Sequence, residues 1–193
     1  MILNSEQTLD MFRRTGAYLR GHFRLTSGLH SPEYLQCAKV LQYPDFAEQL
    51  GAALAEAIGA EADAVVSPAV GGLIIGHEVA RALRVRAIFT ERDAATRAMS
   101  LRRGFSLEPG ERVIVIEDVI TTGGSSREAI EVVTAAGAKV VAAGSIMDRS
   151  GGRADFGVRR AALATLDVQS WPESECPMCR AGEPVVKPGS RPV

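Results

Sequence analysis

No stretch of this sequence is both long and apolar. The most apolar window, AVVSPAVGGLIIG, is broken by Ser67, Pro68 and three glycines, which makes it too short and too interrupted to span a bilayer. An excess of either charge is also missing: 22 basic residues stand against 23 acidic ones. That balance leaves no electrostatic footprint for general binding to nucleic acid or to a membrane surface, so neither partner is expected. With only three cysteines there is no disulfide framework, and the opening MILNSEQ has neither a basic nor an apolar leader region. Both features fit a soluble protein in a reducing cytoplasm. Two nucleotide signatures are absent as well. No glycine run is followed by Lys-Ser/Thr, and no G-x-G-x-x-G occurs, which removes the main support for triphosphate or dinucleotide ligands.

What is present is an alternation of apolar runs and helical patterns, in a length of 193 residues that suits one domain with appendages. Asn4, with Gln7 three residues on and Leu9 and Phe12 at helical spacing, predicts a short N-terminal helix. HFRLTSGLHSPEYLQ, with Ser-Gly and Ser-Pro punctuation, reads as short strands around turns and as an appendage to the main fold. Phe46, Leu50, Ala53, Leu54, Ala57 and Ile58 share one helical face between Pro44 and Gly59. Thereafter AVVS, GLIIGHEVARAL, RAIFT, a polar stretch, RVIVIED, a helix to Ala136 and KVVAAGSIM alternate strand with helix. The unbroken Val/Ile runs point to a parallel sheet covered on both faces, an α/β architecture. Past Trp171 the composition shifts to Pro, Cys, Gly and Lys, which predicts a tail with little regular structure.

The segment VIVIEDVITTGGSS, residues 113–126, is where chemistry is expected. Glu117 and Asp118 close an apolar run, and the turn that follows lies where open α/β sheets place their ligands. Gly123 and Gly124 let backbone N–H groups approach an oxyanion. Thr121, Thr122, Ser125 and Ser126 add hydroxyls, and a helix N-terminus follows, which together make a phosphate cradle. Adjacent acids would repel a triphosphate, but they accept hydrogen bonds from vicinal hydroxyls directly or through a divalent metal. A ribose 5-phosphate satisfies both halves. The plainer alternative is that the two acids only end a strand and cap a helix.

This segment resembles the signature of type I phosphoribosyltransferases, and its EDVITTGGS form is similar to that of the orotate phosphoribosyltransferases. The resemblance runs from about Leu19 to Asp167 and includes FRLTSGLHSPEYLQ, SPAVGGLIIGHEVARAL, FTER, LRRGF and MDRSGG. It implies the type I phosphoribosyltransferase fold, a central mostly parallel sheet flanked by helices with a small N-terminal hood. Residues 1–170 would form that domain and 171–193 a Pro/Cys/Gly-rich tail. The implied reaction moves the phosphoribosyl group of PRPP to orotate, giving orotidine 5′-monophosphate and pyrophosphate in pyrimidine biosynthesis. Magnesium would be carried in with PRPP, with no protein metal ligand assigned, and a homodimer would share a loop across its interface.

By the same resemblance, PRPP is held by Arg92, Glu117, Asp118, Val119, Ile120, Thr121, Thr122, Gly123, Gly124 and Ser125. Ala69, Val70, Gly71 and Gly72 line the pyrophosphate, although a glycine turn after a strand also needs no ligand. Thr121 and Arg149 would contact orotate, whose carboxylate calls for a fixed cation; an arginine paired to its neighbour Asp148 is the alternative. Asp118 and Arg97 are the candidate catalytic residues. Arg97 belongs to an arginine-rich stretch, with Arg92, Arg102 and Arg103, that suits a mobile loop closing over a polyanion. The family's Lys-Asp-His-Gly run is replaced there by DAATRAMSLRRG. Thr26 stands where relatives carry a lysine and receives no role.

Two further readings remain open at this level: a phosphoribosyltransferase for another base, or a PRPP-sensing regulator without turnover. His22, His30 and His77 are expected to be structural or exposed. Cys176 and Cys179 have ligand-like spacing, but a zinc site takes about four ligands. The chain offers beyond them only Cys37 and three histidines far away in sequence. A turn or disordered end is therefore expected.

Overall fold

The computed structural model describes residues 3–25 and 27–188; Thr26 and the end of the tail lie outside them. The chain opens with α1 (Ser5–Arg14), started by a capping box in which the Asn4 side chain accepts from the Gln7 backbone and the Gln7 side chain accepts from the Asn4 backbone, each at 2.9 Å. These two bonds satisfy N–H groups that the first helical turn leaves unpaired. An antiparallel hairpin follows, β1 (Tyr18–Arg24) and β2 (His30–Leu35), which forms its own two-stranded sheet. A short α2 (Cys37–Leu41) leads into α3 (Pro44–Ile58), which has proline in its first turn and ends on Gly59 at φ +55°. This left-handed terminus is one that glycine adopts without steric penalty.

The main sheet contains β3 (Ala64–Pro68), β4 (Arg86–Arg92), β5 (Met99–Leu101), β6 (Arg112–Ile120), β7 (Lys139–Asp148) and β8 (Arg159–Thr165), in the order β5-β4-β3-β6-β7-β8. All pairings are parallel except β4 with β5. Helix α4 (Gly72–Leu83) connects β3 to β4, and α5 (Gly124–Ala135) connects β6 to β7. The chain therefore leaves β3 toward one edge and β6 toward the other. The gap between these two adjacent strands is the point at which an open α/β sheet forms a crevice.

The Val/Ile run of β6 accounts for its central place. Ile114 and Ile116 pack into the core beneath α1, α3 and α4, whereas Val113 and Val115 pack into the core against α5. All four are at most 1% exposed, and full burial of such a side chain stabilises by about 1.5–3 kcal/mol. Contact between α3 and α4 depends on Gly51, where an added Cβ would lie 2.4 Å from Glu78 Cβ and 2.7 Å from the Glu78 carbonyl carbon. Gly51→Ala is accordingly expected to lower the unfolding free energy by about 1–3 kcal/mol, as overpacking does, read as an earlier midpoint in urea denaturation.

Three details differ from the sequence reading. Strand β6 runs two residues past the acid pair, because Val119 and Ile120 continue pairing with Met147 and Asp148 of β7. The arginine-rich stretch expected as a loop contains a short hairpin. There Arg92 pairs with Met99 and Thr90 with Leu101, and the Asp93 side chain accepts from the Ala95 and Thr96 backbones to close the turn. The tail is also tied down at several points. It carries a 3-10 turn (Glu173–Glu175) and a four-residue α6 (Pro177–Arg180), and it bonds back to the hairpin at His30–Trp171 and Phe23–Val186.

Candidate active site

Two glycine turns follow the neighbouring strands β3 and β6 on the same edge of the sheet. The first, residues 69–72, is anchored where the Ala69 N–H donates to the Thr90 carbonyl at 2.8 Å. Close approach explains its glycines. A Cβ on Gly71 would sit 2.8 and 2.9 Å from the two Asp118 carboxylate oxygens, and one on Gly72 would lie 3.0 Å from the Ile116 carbonyl. The second turn, residues 121–124, leads into α5 with Gly123 at φ +79°. It is braced from outside: Arg127 donates to the Thr122 carbonyl at 2.6 Å, and its guanidinium lies over the Phe156 ring at 5.5 Å. Thr121, Thr122 and Gly124 remain exposed, with Ser125 half-buried, so the hydroxyls and N–H groups of this turn are available to a ligand.

Glu117 and Asp118 lie between the turns. Strand β3 pairs with β6 only through Val115, so past that residue β6 is unpaired on its β3 side and the acids border the crevice. Asp118 accepts from the Val119 N–H at 2.8 Å, while the Asp118 N–H donates to Glu117 at 3.2 Å. Burial, and then the charge of Asp118, holds Glu117 well above the usual carboxylate range; burial raises Asp118 also. Two carboxyls buried side by side favour keeping a proton between them. The thiol of Cys37, at the start of α2, is buried and is pushed up by that burial and by the charges of both acids.

Cations flank the acids on both sides. At the end of β4, Arg92 is half-buried, pairs with Glu128 of α5 and donates to the Arg97 carbonyl at 3.2 Å. Arg97 itself is exposed at the hairpin turn with φ +64°. Arg103 pairs with Glu91 at 2.7 Å, and Arg102 is exposed. On the other side Arg149 follows β7, with its N–H bonded to the Ile120 carbonyl at 2.7 Å. Its guanidinium reaches the hood, donating to Ser31 Oγ at 3.0 Å and to the Glu33 carbonyl at 3.3 Å. Asp148 is not its partner, since that carboxylate is paired with Arg160. Among the described residues the buried Arg149 Nε has no hydrogen-bond partner. A buried N–H of this kind calls for an acceptor, and a carboxylate suits a guanidinium in two-point geometry. Tyr34 completes this side: burial and then Asp118 raise its hydroxyl, and Arg149 opposes them.

Across the sheet, the sequence of groups is therefore Arg92, the 69–72 turn, the acid pair with the 121–125 turn, and Arg149. Such a line offers a polyanion its cation and amide donors at one end, hydroxyls their acceptors in the middle, and a carboxylate its cation at the other end. Sequence reasoning had no signal for Ser31, Glu33 and Tyr34, whose roles depend on the hairpin folding over β7. Arg127 and Phe156 were likewise invisible, because they support the 121–124 turn from behind.

The chain is similar to known proteins along most of its length. A model of the phosphoribosyl transferase domain matches residues 38–156. The orotate phosphoribosyltransferase of Heliobacterium modesticaldum is 52% identical over 193 residues, spanning 98% of this chain and 100% of that protein. That of Pelotomaculum thermopropionicum is 53% identical over 190 residues, spanning 98% and 99%. Among solved structures, orotate phosphoribosyltransferase from Aeropyrum pernix superposes with a TM-score of 0.68 at 30% identity, covering 81% of this chain and 92% of that one.

Proposed function

This chain belongs to the phosphoribosyltransferase family, and from that premise we propose that it is an orotate phosphoribosyltransferase of pyrimidine biosynthesis, acting in the cytoplasm. It forms orotidine 5′-monophosphate and pyrophosphate from PRPP and orotate. A ring nitrogen of orotate loses its proton to solvent or to the departing pyrophosphate and bonds to the ribose C1, while the bond from C1 to the pyrophosphate oxygen breaks and its electron pair leaves with that oxygen. Positive charge develops on the sugar and negative charge on the leaving group, so catalysis consists of positioning and electrostatic stabilisation.

The observation that carries this reading is Arg149, a half-buried guanidinium with an unpartnered Nε, one strand away from the acid pair. It receives the orotate carboxylate, and Thr121 makes a second contact to the base. Glu117 and Asp118 accept from the ribose hydroxyls. The segment from Val119 to Ser125 wraps the sugar and its 5-phosphate, and Ala69 to Gly72 with Arg92 hold the pyrophosphate. Mg2+ would come with PRPP; the hard carboxylate oxygens of Glu117 and Asp118 are the groups of this chain that would suit such an ion, and it would supply charge neutralisation for the pyrophosphate. Arg97, exposed at the tip of the β4–β5 hairpin, serves the site of the other subunit in a homodimer.

The test supplies PRPP and Mg2+ with orotate, uracil, adenine or hypoxanthine and measures pyrophosphate release and nucleotide product. Turnover with orotate above all others is expected. Turnover only with a purine would contradict the assignment, and tight PRPP binding without turnover on any base would contradict catalysis.

A further inference from the structure

Four side chains with metal-binding atoms, none of them part of the acid pair or its two turns, converge where the tail crosses the hood. His22 lies in β1, His30 begins β2, and Cys176 and Cys179 flank the first turn of α6. Their ligand atoms all lie within 4.8 Å of one another, and His22, His30 and Cys176 are buried. Cys179 Sγ is 3.2 Å from His30 Nδ1 and 3.6 Å from His22 Nε2, Cys176 Sγ is 3.6 Å from His22 Nε2, and the two ring nitrogens are 2.8 Å apart. Around a tetrahedral zinc ion, with bonds of about 2.0–2.1 Å to nitrogen and 2.3 Å to sulfur, neighbouring ligand atoms stand roughly 3.3–3.8 Å apart. The nitrogen–sulfur separations already match that figure or come close to it, and the two imidazoles need to part only slightly.

We propose that His22 Nε2, His30 Nδ1, Cys176 Sγ and Cys179 Sγ bind one structural Zn2+. Two thiolates and two neutral imidazoles make a closed tetrahedral set whose two negative charges balance those of Zn2+, and sulfur with nitrogen in that geometry selects zinc over magnesium or calcium. A supporting contact is in place: His22 Nδ1 lies 2.9 Å from the Glu183 carbonyl. Donation to that carbonyl leaves the Nε2 lone pair free for the ion, as outer contacts to metal-bound histidines do. The backbone also holds both partners. His30 and Trp171 exchange bonds of 2.8 and 3.0 Å, and the Val186 N–H donates to the His22 carbonyl at 2.8 Å. In a tail of mostly exposed residues Cys176 is fully buried, although its helix has four residues and no core of its own. A zinc ion explains that burial by joining the tail to the hood, in place of the hydrophobic core that so short a segment lacks.

The test uses the full-length chain, purified with reduced thiols and without added metal, and measures metal content by mass spectrometry. About one zinc per chain is expected, as is a cobalt-substituted form with the intense visible bands of tetrahedral Co2+ and thiolate charge transfer. Cys179→Ser, at a half-buried position where folding should survive, is expected to bring zinc to background, with circular dichroism confirming the fold. Chelation should lower the melting temperature of the parent chain but not of this variant. Zinc at background in the folded parent, even after equilibration with Zn2+, would overturn the proposal in favour of an ion-free His–His–Cys hydrogen-bond network. Zinc retained undiminished in both Cys179→Ser and Cys176→Ser would overturn it equally. None of these readouts depends on enzymatic activity.

Discussion

Arg149→Ala is expected to lower kcat/KM for orotate by about 10²–10³-fold, the effect of leaving a desolvated carboxylate without its cation, while KM for PRPP changes little. The asymmetry follows from position. Arg149 hangs from the end of β7 and is held by the hood through Ser31 and the Glu33 carbonyl, on the side of the acid pair away from Arg92 and the 69–72 turn. Arg149→Lys should recover only part of the loss, because an ammonium cannot reproduce two-point contact with a carboxylate. Separate titrations of the two substrates in steady-state kinetics check the split, and equal losses for both would contradict the role. Truncation also removes two hydrogen bonds to the hood, so chemical denaturation of the variant distinguishes a loosened hairpin from a lost substrate contact.

Glu117→Gln is expected to abolish most PRPP turnover, lowering kcat/KM by about 10²-fold or more through loss of positioning, while making the ligand-free protein more stable. Both effects have one origin. Burial and Asp118 raise Glu117 in the folded chain, so the folded state keeps a proton that the unfolded state releases. The stabilisation from that proton is fully present below the unfolded pKa and is lost as pH rises through the folded one. The parent protein should therefore lose stability as pH climbs above the ordinary carboxylate range. A neutral amide removes that contribution, and the melting temperature of Glu117→Gln should exceed the parent's at neutral and alkaline pH, with the gap closing in acid. Under the proposed function, binding would draw on the same strain, since ribose hydroxyls and a divalent cation would supply partners to the crowded carboxylates. A variant less stable than the parent at alkaline pH would show that the pair is not electrostatically strained.

Much of this site was legible in the sequence because its parts are local. An apolar run followed by acids and glycines marks a strand and the turn after it, and VIVIEDVITTGGSS and SPAVGG both read this way. Their adjacency in space follows from the sheet order and was carried only by family resemblance. The overhang of β6 was hidden, since nothing local tells that Val119 and Ile120 keep pairing with β7 after β3 has stopped. Strands β5 and β8 and the short α2 were missed for a related reason: three to seven residues of mixed character become regular only against a neighbour. The histidines show the limit most clearly. His22 and His30 lie more than 140 residues from Cys176 by sequence number, and the hairpin and the returning tail bring all four ligand atoms within 4.8 Å. Cysteine spacing drew attention to half of that cluster, though a turn or disordered end was expected there, and no periodicity could supply the other half.

The central claim is that Arg149 makes this site one for a base bearing a carboxylate, and the most direct measurement is the ratio of kcat/KM for orotate to that for uracil, in the parent and in Arg149→Ala. The parent should prefer orotate strongly, and the variant should lose most of that preference, by a factor close to its loss on orotate itself. A variant that turns over slowly yet keeps the parent's full preference for orotate over uracil would contradict the account.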